Sequence, residues 1–141
     1  TVAASKELLS KCPDFDVILT PEAKSIPIAY EMSRQSGKPY IVARKGLKVY
    51  MGNPLKVTVR SITTQKEQTL YLGEAEVEII KGKKVLIVDD VISTGESLSA
   101  VRELLLKAGG KEAASCAILA EGEAADRDDI IYLEKLPLFF K

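Results

Sequence analysis

The run Val85-Leu86-Ile87-Val88 is apolar at every position, and two acids, Asp89 and Asp90, follow it at once. A strand that is apolar on both parities must be covered on both faces. Such strands belong to parallel sheets with helices packed above and below, so the segment predicts an α/β layered domain. The neighbouring segments agree. Asp16-Val17-Ile18-Leu19-Thr20 is short, apolar and partly β-branched, and reads as a strand. Pro27 suits the first turn of a helix, where a missing N–H costs little. Ile28, Ala29, Met32 and Ser33 share one face of that helix, and Gly37 stops it. Tyr40-Ile41-Val42-Ala43 is the next strand. Strand, helix and strand in so short a stretch form a βαβ unit, which pairs its strands in parallel.

Helical spacing returns later. Leu98, Val101, Leu104, Leu105 and Ala108 share a face, and Gly109-Gly110 ends the helix. Ala113 to Ala120 reads as another buried strand, and Ile130-Ile131-Tyr132-Leu133 as a last short one. Thr1 to Ser10 reads as a helix before the first strand. The middle differs. Leu55, Val57 and Val59 alternate with Lys56, Thr58 and Arg60, and Ala75, Val77 and Ile79 alternate with Glu74, Glu76 and Glu78. A period of two predicts a long antiparallel hairpin. Its tip, Ser61 to Gln68, is polar and is a candidate flap.

Composition closes off several functions. The chain has 141 residues, which suits a single domain over 1–141, and 46% of them are hydrophobic, enough for one core. Twenty basic and twenty acidic side chains give no net charge, so a net basic field for nucleic acid is absent. No apolar stretch approaches the roughly 20 residues of a membrane span. There is no His, which removes the Ser-His-Asp triad and any His-based metal site. Cys12 and Cys116 lie too far apart for a zinc-type spacing and read as reduced thiols in apolar packing, as in a cytoplasmic protein.

The chemistry concentrates between Val85 and Ser97. A buried strand ends in Asp89 and Asp90, and a small hydroxyl-rich turn, Ser93-Thr94-Gly95-Glu96-Ser97, opens a helix. Ligands of α/β sheets bind beyond the carboxyl ends of the strands. Free N–H groups at a helix start suit a phosphate, and Gly95 lets the backbone approach it. Two acids beside an anion site make sense only if they face another part of the ligand, such as sugar hydroxyls, or a Mg2+ ion. A P-loop would need G-x-x-x-x-G-K-[ST], and no such string occurs.

Four apolar residues, two acids, two apolar residues and a Gly-containing hydroxyl loop resemble the phosphoribosyl diphosphate signature of the type I phosphoribosyltransferases, purine branch. The resemblance implies that family's central parallel sheet flanked by helices, with an antiparallel flap hairpin. It implies catalytic roles for Asp89, Asp90 and Arg44, with the acids on the ribose hydroxyls. Ser93, Thr94, Gly95, Glu96 and Ser97 would hold the 5′-phosphate. Glu22-Ala23-Lys24-Ser25 looks like the family's diphosphate loop, and Arg44, Lys45 and Lys48 look like its cations for the same group. No metal ligand set is implied beyond Mg2+ carried on the substrate, with Asp89 or Asp90 as its possible protein contact. The implied activity is transfer of a 5-phosphoribosyl group to a purine base with release of diphosphate, by a homodimer, with neither nucleic acid nor membrane as partner. The alternative is a non-catalytic sensor of phosphoribosyl diphosphate. Two departures from the adenine enzymes stand out. By resemblance Tyr71 aligns with a Glu of the adenine enzymes, unless Glu67 or Glu74 supplies that acid after a small register shift, and the N-terminal hood over the base is not among these residues.

Overall fold

The computed structural model describes residues 2–22, 24–46, 52, 54–60, 67–92, 96–121 and 130–136. Along the chain these form α1 (Val2–Lys11), β1 (Val17–Pro21), α2 (Ile26–Ser36), β2 (Tyr40–Ala43), β3 (Leu55–Arg60), β4 (Glu67–Leu72), α3 (Glu74–Ile80), β5 (Lys84–Ile92), α4 (Glu96–Lys107), β6 (Lys111–Glu121) and β7 (Ile131–Leu136). Five strands make one sheet in the order β2-β1-β5-β6-β7, and each pairing is parallel. The strand that is apolar on both parities, β5, lies at its centre.

The two parities feed two cores. Ile18, Leu86, Val88 and Cys116 pack with Leu8 of α1 and with Ala29 and Met32 of α2. Val17, Leu19, Ile87 and Ala117 face the other way, toward Leu98, Val101, Leu104 and Leu105 of α4. Complete burial of a Leu or Ile contributes about 1.5–3 kcal/mol, and Leu8, Ile18, Leu86, Leu104 and Leu105 are all fully buried. Helix ends form where glycine permits. Gly37 closes α2 at φ 74°, its N–H donating to Ser33 O. At the end of α4, Gly109 sits at φ 82°, its N–H donates to Leu106 O, and Gly110 N–H reaches back to Leu105 O. That pair of bonds satisfies carbonyls the helix would otherwise leave open.

The hairpin forms its own two-stranded antiparallel sheet, with Lys56 opposite Tyr71. Val57, Leu70 and Leu72 join the core under α4. The backbones of Arg44 and Tyr71 exchange two hydrogen bonds, 2.9 and 2.8 Å, which fasten the hairpin to the end of β2.

Three sequence expectations need correction. The return strand is Glu67–Leu72, so Glu67 and Gln68 belong to it and not to the flap tip. Residues 74–80 are helix α3, not strand. Glu-Ala-Glu-Val-Glu alternates, but it also fits a helix that buries Ile80 and half-buries Val77 one turn earlier. The Glu76 carboxylate decides the matter by accepting the Gly73 N–H at 2.9 Å, the reciprocal half of a capping box. Strand β5 also runs on through the acids to Ile92 rather than stopping at Val88.

Candidate active site

Three segments meet at the carboxyl ends of β1, β2 and β5. The first is Thr20 to Ser25, where β1 turns into α2. Glu22 N–H donates to Ala43 O at 2.9 Å, so this turn lies against the end of β2. The Glu22 carboxylate accepts the Lys45 N–H at 3.1 Å, which holds the cationic loop in place. Glu22, an acid in a segment expected to bind an anion, is thus engaged by a backbone donor. Lys24 is exposed. Ser25 is the N-cap residue of α2, yet its side chain caps none of that helix's N–H groups. Its hydroxyl is buried and turned inward, to Pro21 O at 3.0 Å and Thr20 Oγ1 at 2.6 Å.

The second segment is Arg44-Lys45. Arg44 is half-buried and is fixed through its backbone by Tyr71. Lys45 is near enough to Asp89 for its charge to favour the ionised acid.

The third segment carries the acids. Asp89 and Asp90 are half-buried on β5. Asp89 Oδ1 accepts the Asp90 N–H at 2.8 Å, and Asp90 Oδ1 accepts the Val91 N–H at 2.9 Å. A pleated strand sends neighbouring side chains to opposite faces, but both carboxyls fold back along the chain and share a hydrogen bond. Burial is the largest influence on Asp89. With the Asp90 hydrogen bond and charge added, it pushes the carboxyl up to about 7, against the pull of Lys45. The Asp89 carboxyl therefore keeps its proton up to near neutral pH and ionises when donors or cations arrive. Asp90 also lines a cavity of about 300 Å³ with Ala4, Ile28, Val91, Ile118 and Leu119.

The structure thus brings together Glu22, Lys24, Ser25, Arg44, Lys45, Asp89 and Asp90. Glu96 and Ser97 form the start of α4. Ala23, Lys48, Ser93, Thr94 and Gly95 lie outside the described residues, as does the flap segment 61–66. Sequence reasoning missed Thr20, although a hydroxyl closing an otherwise apolar strand just before the Pro-Glu turn was a visible signal. It also missed the cavity wall, which comes from four separate elements and left no mark in any one of them.

Among the described residues no group of three His, Cys, Asp or Glu side chains could hold a metal ion. Asp89 and Asp90 are carboxylates of the kind that meet a Mg2+ ion carried on phosphates, where one or two protein oxygens suffice.

A family model described as phosphoribosyl transferase domain matches residues 2–136. The chain belongs to that family. A hypoxanthine/guanine phosphoribosyltransferase of Methanothermococcus okinawensis is 42% identical over 96 residues, covering 68% of this chain and 49% of that protein. An adenine phosphoribosyltransferase of Thermosipho africanus is 34% identical over 128 residues, covering 87% and 69% respectively. The chain spans about half the length of the first of these. The crystal structure of adenine phosphoribosyltransferase from Thermoanaerobacter pseudethanolicus superposes with a TM-score of 0.81 at 24% identity, over 96% of this chain and 80% of that one. That last likeness bears on the fold, and it matches the five-stranded parallel sheet with its two-stranded antiparallel partner.

Proposed function

We propose that this chain transfers the 5-phosphoribosyl group of phosphoribosyl diphosphate to a purine base and releases diphosphate. The observation that carries the reading is the half-buried acid pair Asp89–Asp90 at the end of the central strand, with Thr20 of the adjoining turn bonded to Val88 O just before it and Glu22 of that turn holding the Lys45 N–H. The acids accept hydrogen bonds from the ribose 2′ and 3′ hydroxyls. Such bonds to a charged acceptor contribute about 1.5–3 kcal/mol each. The turn at the start of α2 and the cations Arg44, Lys45 and Lys48 take the diphosphate, and the loop Ser93 to Ser97 takes the 5′-phosphate. A purine nitrogen forms its bond to C1 as the bond from C1 to the diphosphate oxygen breaks, and diphosphate leaves with the electron pair. The chain's part is positioning and charge stabilisation. Bound Mg2+ would offset charge on the departing diphosphate.

The base is placed in the cavity beside Asp90, whose walls Val91, Ile118, Leu119 and Ile28 suit a flat aromatic ring. A 6-oxopurine is preferred to adenine in this proposal, since the resemblance aligns Tyr71 with the acid that the adenine enzymes carry. A homodimer and cytoplasmic residence belong to the same proposal, and the two free thiols fit the latter. A single phosphoribosyltransferase-like unit over residues 1–141 also belongs to it.

The test is a turnover screen of adenine, guanine, hypoxanthine and xanthine with phosphoribosyl diphosphate and Mg2+. Nucleotide and diphosphate should form in equal amounts with a 6-oxopurine. Binding of phosphoribosyl diphosphate without turnover on any base would replace the enzyme with a sensor.

A further inference from the structure

Thr20 Oγ1 lies 2.8 Å from Val88 O, the carbonyl just before the acid pair, and 2.6 Å from Ser25 Oγ in the turn that enters α2. Ser25 Oγ lies 3.0 Å from Pro21 O. Both residues are buried, Thr20 at 0% and Ser25 at 1% exposure. Serine at a helix N-cap ordinarily accepts a bond from the helix's own N–H groups. Here that use is given up. Pro27, without an N–H, lies in the same first turn.

Proton counting shows what the arrangement preserves. Each hydroxyl carries one hydrogen, so two hydrogens serve three contacts. Three arrangements are open: Thr20 donates to Val88 O and Ser25 to Thr20; Ser25 donates to Pro21 O and Thr20 to Ser25; or each donates to its carbonyl. The third would leave two hydroxyl oxygens 2.6 Å apart with no hydrogen between them, so the first two, which keep the Thr20–Ser25 bond, are favoured. The outer contact without a proton alternates between the β5 side and the turn side.

We infer that Thr20, acting through Ser25, is a positioning residue that fixes the turn at Pro21 to Ser25 against the stretch of β5 carrying Asp89 and Asp90. The inference rests on the proposed phosphoribosyl diphosphate site. It adds that two parts of the site, the sugar acids and the diphosphate turn, are held in register by a buried hydroxyl pair that touches no substrate. Its consequence is specific to ligand type. A ligand with a diphosphate on C1 needs both parts in register, whereas ribose 5-phosphate needs only the acids and the 5′-phosphate loop.

The experiment compares wild type, Thr20→Val and Thr20→Ser in the full chain. Valine keeps the shape and removes the hydroxyl, and serine returns it. Ser25→Ala cuts the same bond from the other side and serves if Thr20→Val does not fold. Titration calorimetry should show phosphoribosyl diphosphate affinity falling at least tenfold in Thr20→Val, with ribose 5-phosphate affinity changing less than twofold and Thr20→Ser within threefold of wild type for both. Amide hydrogen exchange without ligand should show residues 22–26 exchanging at least tenfold faster in Thr20→Val, with β6 unchanged. Equal losses for both ligands, no rescue by serine, or unchanged exchange at 22–26 would overturn the positioning role. Wild type that binds neither ligand while the exchange difference holds would instead overturn the substrate reading and leave the hydroxyl clamp standing as a device of the fold.

Discussion

Asp89→Asn is expected to stabilise the unliganded protein at pH 8 and to leave it nearly unchanged at pH 3.5, below the ordinary carboxylate value. Burial first, then the hydrogen bond and charge of Asp90, push the Asp89 carboxyl up to about 7 from its ordinary 3.8. Such a group binds its proton more tightly in the native state than in the unfolded chain. Its contribution to stability is complete below pH 4 and is lost as pH rises through 7. Each pH unit between the two values is worth about 1.4 kcal/mol, so the ceiling is about 4 kcal/mol. Water reaches this half-buried site and screens the charge, which reduces the expected effect to about 1–2 kcal/mol. Asparagine keeps Oδ1 as the acceptor for the Asp90 N–H, so the local backbone bond survives. Urea denaturation at the two pH values measures the effect. A gain of about 1–2 kcal/mol at pH 8 that fades below about 0.5 kcal/mol at pH 3.5 is the expected result. A variant that loses stability at both pH values, or gains equally at both, would refute the reasoning. In the proposed site the same substitution would also remove charge offered to the ribose hydroxyls, an exchange of function for stability common at active sites.

Other outcomes follow from particular contacts. Gly110→Ala should destabilise by about 1–3 kcal/mol in thermal unfolding, because a Cβ there would sit 2.5 Å from Leu105 Cδ1 and 2.6 Å from Ile80 Cγ2. Leu104→Ala, at a fully buried position under the sheet, should cost about 2–5 kcal/mol. Alkylation by iodoacetamide at pH 8 should label Cys12 well before Cys116 in mass spectra. Its contact with Cys116 holds the half-buried Cys12 thiol below the usual range, while that contact and burial hold Cys116 well above it. Leu119→Trp, which fills the cavity beside Asp90, should raise the KM for the purine at least tenfold and leave phosphoribosyl diphosphate binding within about twofold.

The parts of the fold that the sequence disclosed are those where one periodicity had no rival. Val85 to Val88 could only be a covered strand, and Leu98 to Ala108 could only be one helical face; both lie where expected. Residues 74–80 satisfied two periods at once, and a single bond from Gly73 N–H to Glu76 settled the choice. That bond is local, but its weight against strand pairing depends on what Ile80 finds to pack on. In the site, Asp89, Asp90, Arg44 and Lys45 stood out because charge next to apolar strands is conspicuous. Thr20 did not, because its partner Val88 lies 68 positions away in the chain. Nor did the contact between Cys12 and Cys116, which only the packing of α1 on β6 creates.

The most direct test of the site is titration calorimetry with phosphoribosyl diphosphate and Mg2+ at pH 7.5, on wild type and on the Asp89→Asn/Asp90→Asn double variant. Wild type should bind with a stoichiometry of one per chain. The double variant, folded by circular dichroism, should bind at least a hundredfold more weakly, as the loss of two bonds to charged acceptors requires. Equal affinity in a folded double variant would place the sugar elsewhere and contradict the account.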